Sequence, residues 1–217
     1  MPSRHNLFPM FLKLAGRNVL VVGAGAVGET KIRTLLPTGA HIRVVSLAAT
    51  EAVQAWSQSG ELILHTRAFV PSDLNETFLV IVATSSRDLN QLAFDEARRL
   101  GVLCNVVDVP EQCDFFYPSV VQRGDLQIAV STAGQSPSLA QRIRQQLERQ
   151  FGPGYADWIE QLGETRRQVL ASDLPAERKK ELLQSLASQD ALEAALKAES
   201  RKQHSAIADQ AAAGTSK

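Results

Sequence analysis

Three short segments carry residue types that could do chemistry. Gly23-Ala24-Gly25-Ala26-Val27-Gly28 is a GxGxxG that follows the apolar run Asn18–Val22 and opens a helix-like stretch. In that setting the glycines have separable tasks. Gly23 permits a tight turn, Gly25 lets a pyrophosphate approach the backbone, and Gly28 lets helix and strand pack closely. The N–H groups at the helix start then face the phosphates. The motif predicts a dinucleotide site, against the alternative of a similar turn that holds no ligand. Its adenosine end is less specified. Ser46 stands where a carboxylate would bind the ribose, and the nearest acid is Glu51. A serine can bond a ribose hydroxyl without repelling a 2′-phosphate, so these residues leave NAD and NADP both open.

The second segment is Asn105-Val106-Val107-Asp108-Val109-Pro110. Ligands of an open α/β sheet sit beyond the carboxyl ends of its strands, and Asp108 falls at such an end. By position it can be a cap, a salt-bridge partner or a general base. Pro110 favours extended geometry at Val109 and is expected to delay any helix. The third segment runs from Ser131 and Thr132 through Gly134 to Ser138. Hydroxyls and a glycine before an amphipathic helix predict an N-cap at Ser136 or Ser138, with Pro137 in the first turn. The same groups could also meet an anion.

The elements that must position these segments follow from periodicity. Strands are expected at 18–22, 41–46, 61–66, 78–83 and 102–107, and helices at 26–36, 49–57 and 89–100. This alternation predicts an α/β fold, a Rossmann-like parallel sheet with helices on both faces. Residues 119–122 and 126–131 read as a hairpin across Arg123-Gly124-Asp125, followed by a helix over 138–151. Gly152-Pro153-Gly154 breaks the chain. Helices are then expected over 155–171 and from Pro175 to about Lys202. The resulting organisation is a dinucleotide-binding domain at 1–117, a small dimerisation segment at 118–150, a C-terminal helical domain at 151–202 and a disordered tail at 203–217.

Composition narrows the function classes. The chain of 217 residues has 23 basic and 23 acidic side chains, so it lacks the basic excess of a general nucleic-acid binder. Its 44% hydrophobic and 21% charged residues are ordinary for a globular protein. Only 118–150 is locally basic, with Arg123, Arg142, Arg144 and Arg149 against Asp125 and Glu148. A solvated helix face explains that as readily as an anion site. Cys104 and Cys113 form no CxxC pair, so neither a disulfide framework nor a resident metal is expected. Cys104 reads as a small buried hydrophobe. No signal peptide and no membrane span is apparent, so a cytoplasmic protein is expected.

Taken in order, these segments resemble the precorrin-2 dehydrogenase/sirohydrochlorin ferrochelatase family, whose members occur alone or as the N-terminal module of siroheme synthases. The resemblance rests on Leu7-Phe8-Pro9-Met10-Phe11, Val21 through Gly28 with Lys31, Ala83-Thr84, Asn90, Cys104 through Asp108, Phe115, Pro118-Ser119 and Ser131 through Pro137. It implies NAD as cofactor and a homodimer whose middle segment exchanges between subunits. It places Ala26 and Val27 at the pyrophosphate, Leu47 and Ala48 along the adenosine, and Ser46 and Thr84 in the same site. Asp108 matches the family's essential aspartate. Asn105, Ser131, Thr132 and Gly134, with Arg123 and Arg142, fall on the substrate side.

The implied substrates are precorrin-2 and sirohydrochlorin, with Fe(II) or Co(II) as a metal to be inserted. Two departures stand out. Thr132 stands where some members have the second serine of a Ser-Ser pair, and Thr30 stands where many members have an arginine beside Lys31, a change that could weaken a contact to substrate carboxylates. The implied chemistry suits so sparse a set of groups. Oxidising precorrin-2 releases a hydride and a proton, and the proton needs one base. Metal insertion expels pyrrole protons and again needs a base. A dehydrogenase-only enzyme, a Rossmann oxidoreductase of another substrate, and a non-catalytic dinucleotide-gated tetrapyrrole-binding module are the rival readings.

Overall fold

The computed structural model describes residues 7–188 and 190–195. The chain divides into two compact units, with the boundary between Tyr117 and Pro118. The first unit comprises β1 (Asn18–Ala24), α1 (Ala26–Leu35), β2 (His41–Ala49), α2 (Glu51–Gln58), β3 (Ile63–Thr66), β4 (Leu79–Val82), α3 (Arg87–Leu100) and β5 (Leu103–Val106). Its five strands are all parallel, in the order β3-β2-β1-β4-β5.

The apolar runs of the sequence are explained by burial on two faces. Leu20 and Val22 of β1 pack with Ala93, Phe94 and Ala97 of α3. Val19 and Val21 point the other way, into a cluster with Ile32 and Leu35 of α1 and Val53 of α2. A strand covered on both sides loses the apolar–polar alternation and reads as one continuous apolar run. α3 starts at Arg87, earlier than the Leu89 expected, because the Ser86 hydroxyl accepts the Leu89 N–H at 3.4 Å.

The strand order creates the ligand crevice. From β1 the chain proceeds outward through β2 to β3, then returns to place β4 on the other flank of β1. The β1/β4 junction is therefore the topological switch point, where ligands bind at the carboxyl ends. Gly23 and Ala83-Thr84 end those two strands. β2 runs further than Ser46, to Ala49, and it bulges. Val22 pairs with Val45 and Ala24 with Ala49, so Gly23 faces Ser46, Leu47 and Ala48 together.

The second unit holds the hairpin β6 (Ser119–Arg123) and β7 (Leu126–Val130), then α4 (Pro137–Gln150), α5 (Tyr155–Ala171) and α6 (Ala176–Leu186). Two expectations are corrected here. Among the described residues no boundary falls at residue 150, because the hairpin turn packs on the start of α5. A Cβ on Gly124, which has φ +55, would lie 3.3 Å from the Ala156 Cα. Nor is the last stretch one helix. α6 stops at Leu186, and residues 190–195 form a separate helical run. Ser188 starts that run by accepting the Ala191 N–H at 3.3 Å, a local bond that competes with helix continuation. Leu196 and the expected tail at 203–217 lie outside the described residues. Among the described residues no helix is long and apolar enough to cross a membrane.

Candidate functional site

The three glycines of the GxGxxG are required for different reasons. A Cβ on Gly23 would stand 2.4 Å from the Ala83 carbonyl oxygen, and one on Gly28 would stand 2.1 Å from the Gly23 carbonyl oxygen. Both must be bare for β1, β4 and α1 to pack. Gly25 has no such constraint. Its φ of −75° suits any residue, and a Cβ there would meet nothing within 4 Å. Gly25 is also the N-cap of α1, and no side chain caps the helix. The result is a helix N-terminus with open space in front of it, which fits a pyrophosphate and which a side chain at Gly25 would fill. Val27 is 50% exposed and Leu47 76% exposed beside this opening, an unusual outlay of apolar surface.

Ser46 and Thr84 act on the backbone around the cradle. The Ala24 N–H donates to Ser46 Oγ at 3.1 Å, and that hydroxyl donates to the Ala48 carbonyl at 2.7 Å. Its proton is committed to holding the β2 bulge against the glycine turn, so Ser46 fixes the backbone at Leu47 and Ala48. The Thr84 hydroxyl donates to Asn90 Oδ1 at 2.7 Å, which leaves its methyl 3.2 Å from the position of a Gly23 Cβ. Arg43 points elsewhere: its guanidinium donates to the Asp73 carbonyl at 2.9 Å and to Thr77 Oγ1 at 3.1 Å.

Asp108 lies one strand further along the same edge, in strained backbone. The Val109 N–H donates to the Val106 carbonyl at 3.1 Å, closing a tight turn in which Asp108 takes φ +63. That position favours glycine or asparagine. Pro110 does not hold off helical geometry, because it begins the 3₁₀ turn Pro110–Gln112. Its missing N–H costs nothing at a first helical position. The chain then folds back along β5, bridging Asn105 to Cys113 antiparallel. The Asn105 amide, expected on the substrate side, donates to the Phe115 carbonyl at 2.8 Å and to Cys113 Sγ at 3.3 Å. It secures the segment that brings Tyr117 onto α1, where Lys31 Nζ sits 3.8 Å from the Tyr117 ring centre. Cys104 is wholly buried, and that burial pushes its thiol up to about 12, as befits an inert core residue.

In the second unit Ser136 caps α4, accepting the Leu139 N–H at 3.2 Å. The Ser131 hydroxyl accepts the Ala133 N–H at 3.1 Å, and Thr132 Oγ1 accepts the Ser136 N–H at 3.1 Å. Ala133 and Gly134 between them both have positive φ, +49 and +78. Arg123 was expected to face a substrate, yet its side chain is only 19% exposed and is engaged internally. It donates to the Phe151 carbonyl at 2.9 Å and the Glu148 carbonyl at 3.2 Å, closing the C-terminus of α4. Arg144 pairs with Glu148 at 2.5 Å. Arg142 is exposed and makes no ion pair among the described residues. Arg123→Met should therefore cost about 2 kcal/mol of stability, since it removes charge-assisted bonds to part-buried carbonyls, and Arg142→Met should be near neutral. Thermal unfolding distinguishes them; equal melting temperatures would remove the structural role of Arg123.

Sequence reasoning missed the Lys31–Tyr117 contact and the bulge in β2. The one available signal was spacing, because Lys31 follows Val27 by one helical turn and so shares its face.

Residues 10–119 match the family described as putative NAD(P)-binding, and residues 123–150 match the one described as sirohaem biosynthesis protein central. Siroheme synthase 1 of Serratia proteamaculans is 40% identical over 161 residues, 74% of this chain and 34% of that protein. Siroheme synthase 2 of Pectobacterium atrosepticum is 34% identical over 194 residues, covering 89% of this chain and 42% of that one. The chain thus spans between a third and a half of these relatives' length. The solved structure of SirC, precorrin-2 dehydrogenase, superposes with a TM-score of 0.77 at 27% identity, over 91% of this chain and 98% of that one.

Proposed function

The chain belongs to the NAD(P)-binding proteins of siroheme biosynthesis, and from that premise we propose that it oxidises precorrin-2 to sirohydrochlorin as a cytoplasmic homodimer. The observation that carries this reading is the cradle at Gly25, whose open space and uncapped helix N-terminus have no structural requirement of their own. Bound there, NAD supplies the hydride acceptor. Gly23 and Gly28 set the turn, the α1 N–H groups with Ala26 and Val27 would face the pyrophosphate, and Leu47 and Ala48 would lie along the adenosine. Asp108 takes the proton released as the hydride leaves, so that the two hydrogens depart separately and charge balances.

Likeness to SirC over nearly its whole length supports dehydrogenation. Anaerobic incubation of the protein with NAD and precorrin-2 should convert the tetrapyrrole spectrum while NADH accumulates. A tetrapyrrole that stays unchanged with saturating NAD would refute the proposal.

The homodimer rests on the second unit. Its hairpin buries only Val121 and its helix α4 only Ala140, while Val120 and Leu139 remain exposed. A self-complementary interface would cover them. Light scattering at micromolar concentration is expected to give twice the chain mass of 23.6 kDa; an active monomer would exclude this arrangement.

A further inference from the structure

Among the described residues of the first unit, Lys31 is a cation that the fold withdraws from water without giving it an ion-pair partner. It is half-buried on α1, one turn beyond Val27. Its ammonium stacks on Tyr117 at 3.8 Å and, among the described residues, makes neither a hydrogen bond nor an ion pair. Cation–π contact with one ring leaves the ammonium's three donors without a protein acceptor among the described residues. Desolvation holds its proton affinity below the usual lysine range, opposed by the charge of Asp108. An ammonium partly withdrawn from water gains strongly from an incoming anion.

The placement decides which anion. Lys31 shares a helix face with Val27 at the cofactor opening, and Asp108 is close enough to act on it electrostatically. An anion seated on Lys31 would therefore belong to a molecule lying between the cofactor cradle and the Asp108 carboxylate. We propose that Lys31 and the Tyr117 ring form a carboxylate-binding subsite that anchors one acidic side chain of the substrate beside Asp108. The inference rests on the tetrapyrrole reading for the identity of that substrate, and on the geometry alone for its carboxylate.

The test uses the full-length protein saturated with NAD and follows sirohydrochlorin binding by absorbance. Lys31→Met, which keeps an unbranched apolar side chain against Tyr117 but removes the charge, should weaken sirohydrochlorin about tenfold or more. Lys31→Arg should restore it to within about threefold, because a guanidinium also binds carboxylate. NAD affinity should be unchanged in both, and the octamethyl ester of sirohydrochlorin should bind wild type and Lys31→Met equally. Equal sirohydrochlorin affinity in wild type and Lys31→Met, or a parallel loss of NAD binding, would overturn the subsite.

A second arm separates this inference from the tetrapyrrole reading. The lysines are reductively methylated with a carbon-13 label, and the Lys31 signal is assigned by its loss in Lys31→Arg. Tricarballylate should then move that signal in the NAD-loaded protein. If it does while sirohydrochlorin fails to bind wild type, the subsite stands and the tetrapyrrole reading falls. A signal that ignores both anions removes the subsite.

Discussion

Asp108→Asn should bind NAD within about threefold of the parent protein and oxidise precorrin-2 at least two orders of magnitude more slowly, since loss of a general base typically costs ~10²–10⁴ in rate. Its stability should be unchanged or higher. Asp108 occupies a turn position with φ +63, where asparagine is at least as well tolerated as aspartate. A carboxylate kept in left-handed backbone at a strand end is the pattern expected where function, and not folding, selects the side chain. The substitution removes a proton acceptor while preserving shape, so a melting temperature at or above the parent's accompanies the loss of rate. An Asp108→Asn protein that turns over within threefold of wild type would make the residue a turn former only. The same variant tests metal insertion, for which we propose Asp108 as acceptor of the pyrrole protons. Fe(II) uptake by supplied sirohydrochlorin should fall with it, and loss of the first activity alone would divide the two chemistries.

Gly25→Val is expected to abolish measurable NAD binding while the protein stays folded. The contrast with Gly28→Ala makes the expectation specific. At Gly28 the new Cβ would lie 2.1 Å from the Gly23 carbonyl oxygen, a backbone atom that can yield only by moving β1 away from α1. Such a clash should cost more than about 3 kcal/mol and lower the melting temperature by many degrees. At Gly25 the backbone is unstrained and the space is open, so the fold loses only about 1 kcal/mol from a poorer N-cap. Calorimetric titration of a folded Gly25→Val protein decides the matter. Unaltered NAD affinity there would show that the cradle is not the cofactor site.

The sheet was legible because β1 and β4 are buried on both faces and therefore spell continuous apolar runs. The GxGxxG gave the place of the crevice for the same reason that it gave the turn: only glycine fits at Gly23 and Gly28. What could not be read was anything set by backbone conformation or by contacts distant in sequence. At Ser46 the position in the strand was readable, whereas the bulge that takes its hydroxyl proton was not. Arg123 was placed on the substrate side through the family resemblance, while its basic stretch alone left a solvated face and an anion site both open. Its carbonyl partners lie at Glu148 and Phe151, and only the folded hairpin brings them near. The break after α6 escaped because Ser188 differs from its helix-forming neighbours only by a short hydroxyl side chain. Lys31 stood out only through the family resemblance, and its contact with Tyr117, 86 positions away, needs the fold.

The central claim is that this chain moves hydride from precorrin-2 to NAD through the Gly25 cradle. The most direct measurement is the stoichiometry of an anaerobic reaction, counting NADH formed against sirohydrochlorin formed in wild type and in folded Gly25→Val. One NADH for each sirohydrochlorin in wild type, with neither product from the variant, is the predicted result. Sirohydrochlorin formed without NADH, or the same yield from Gly25→Val, would contradict it.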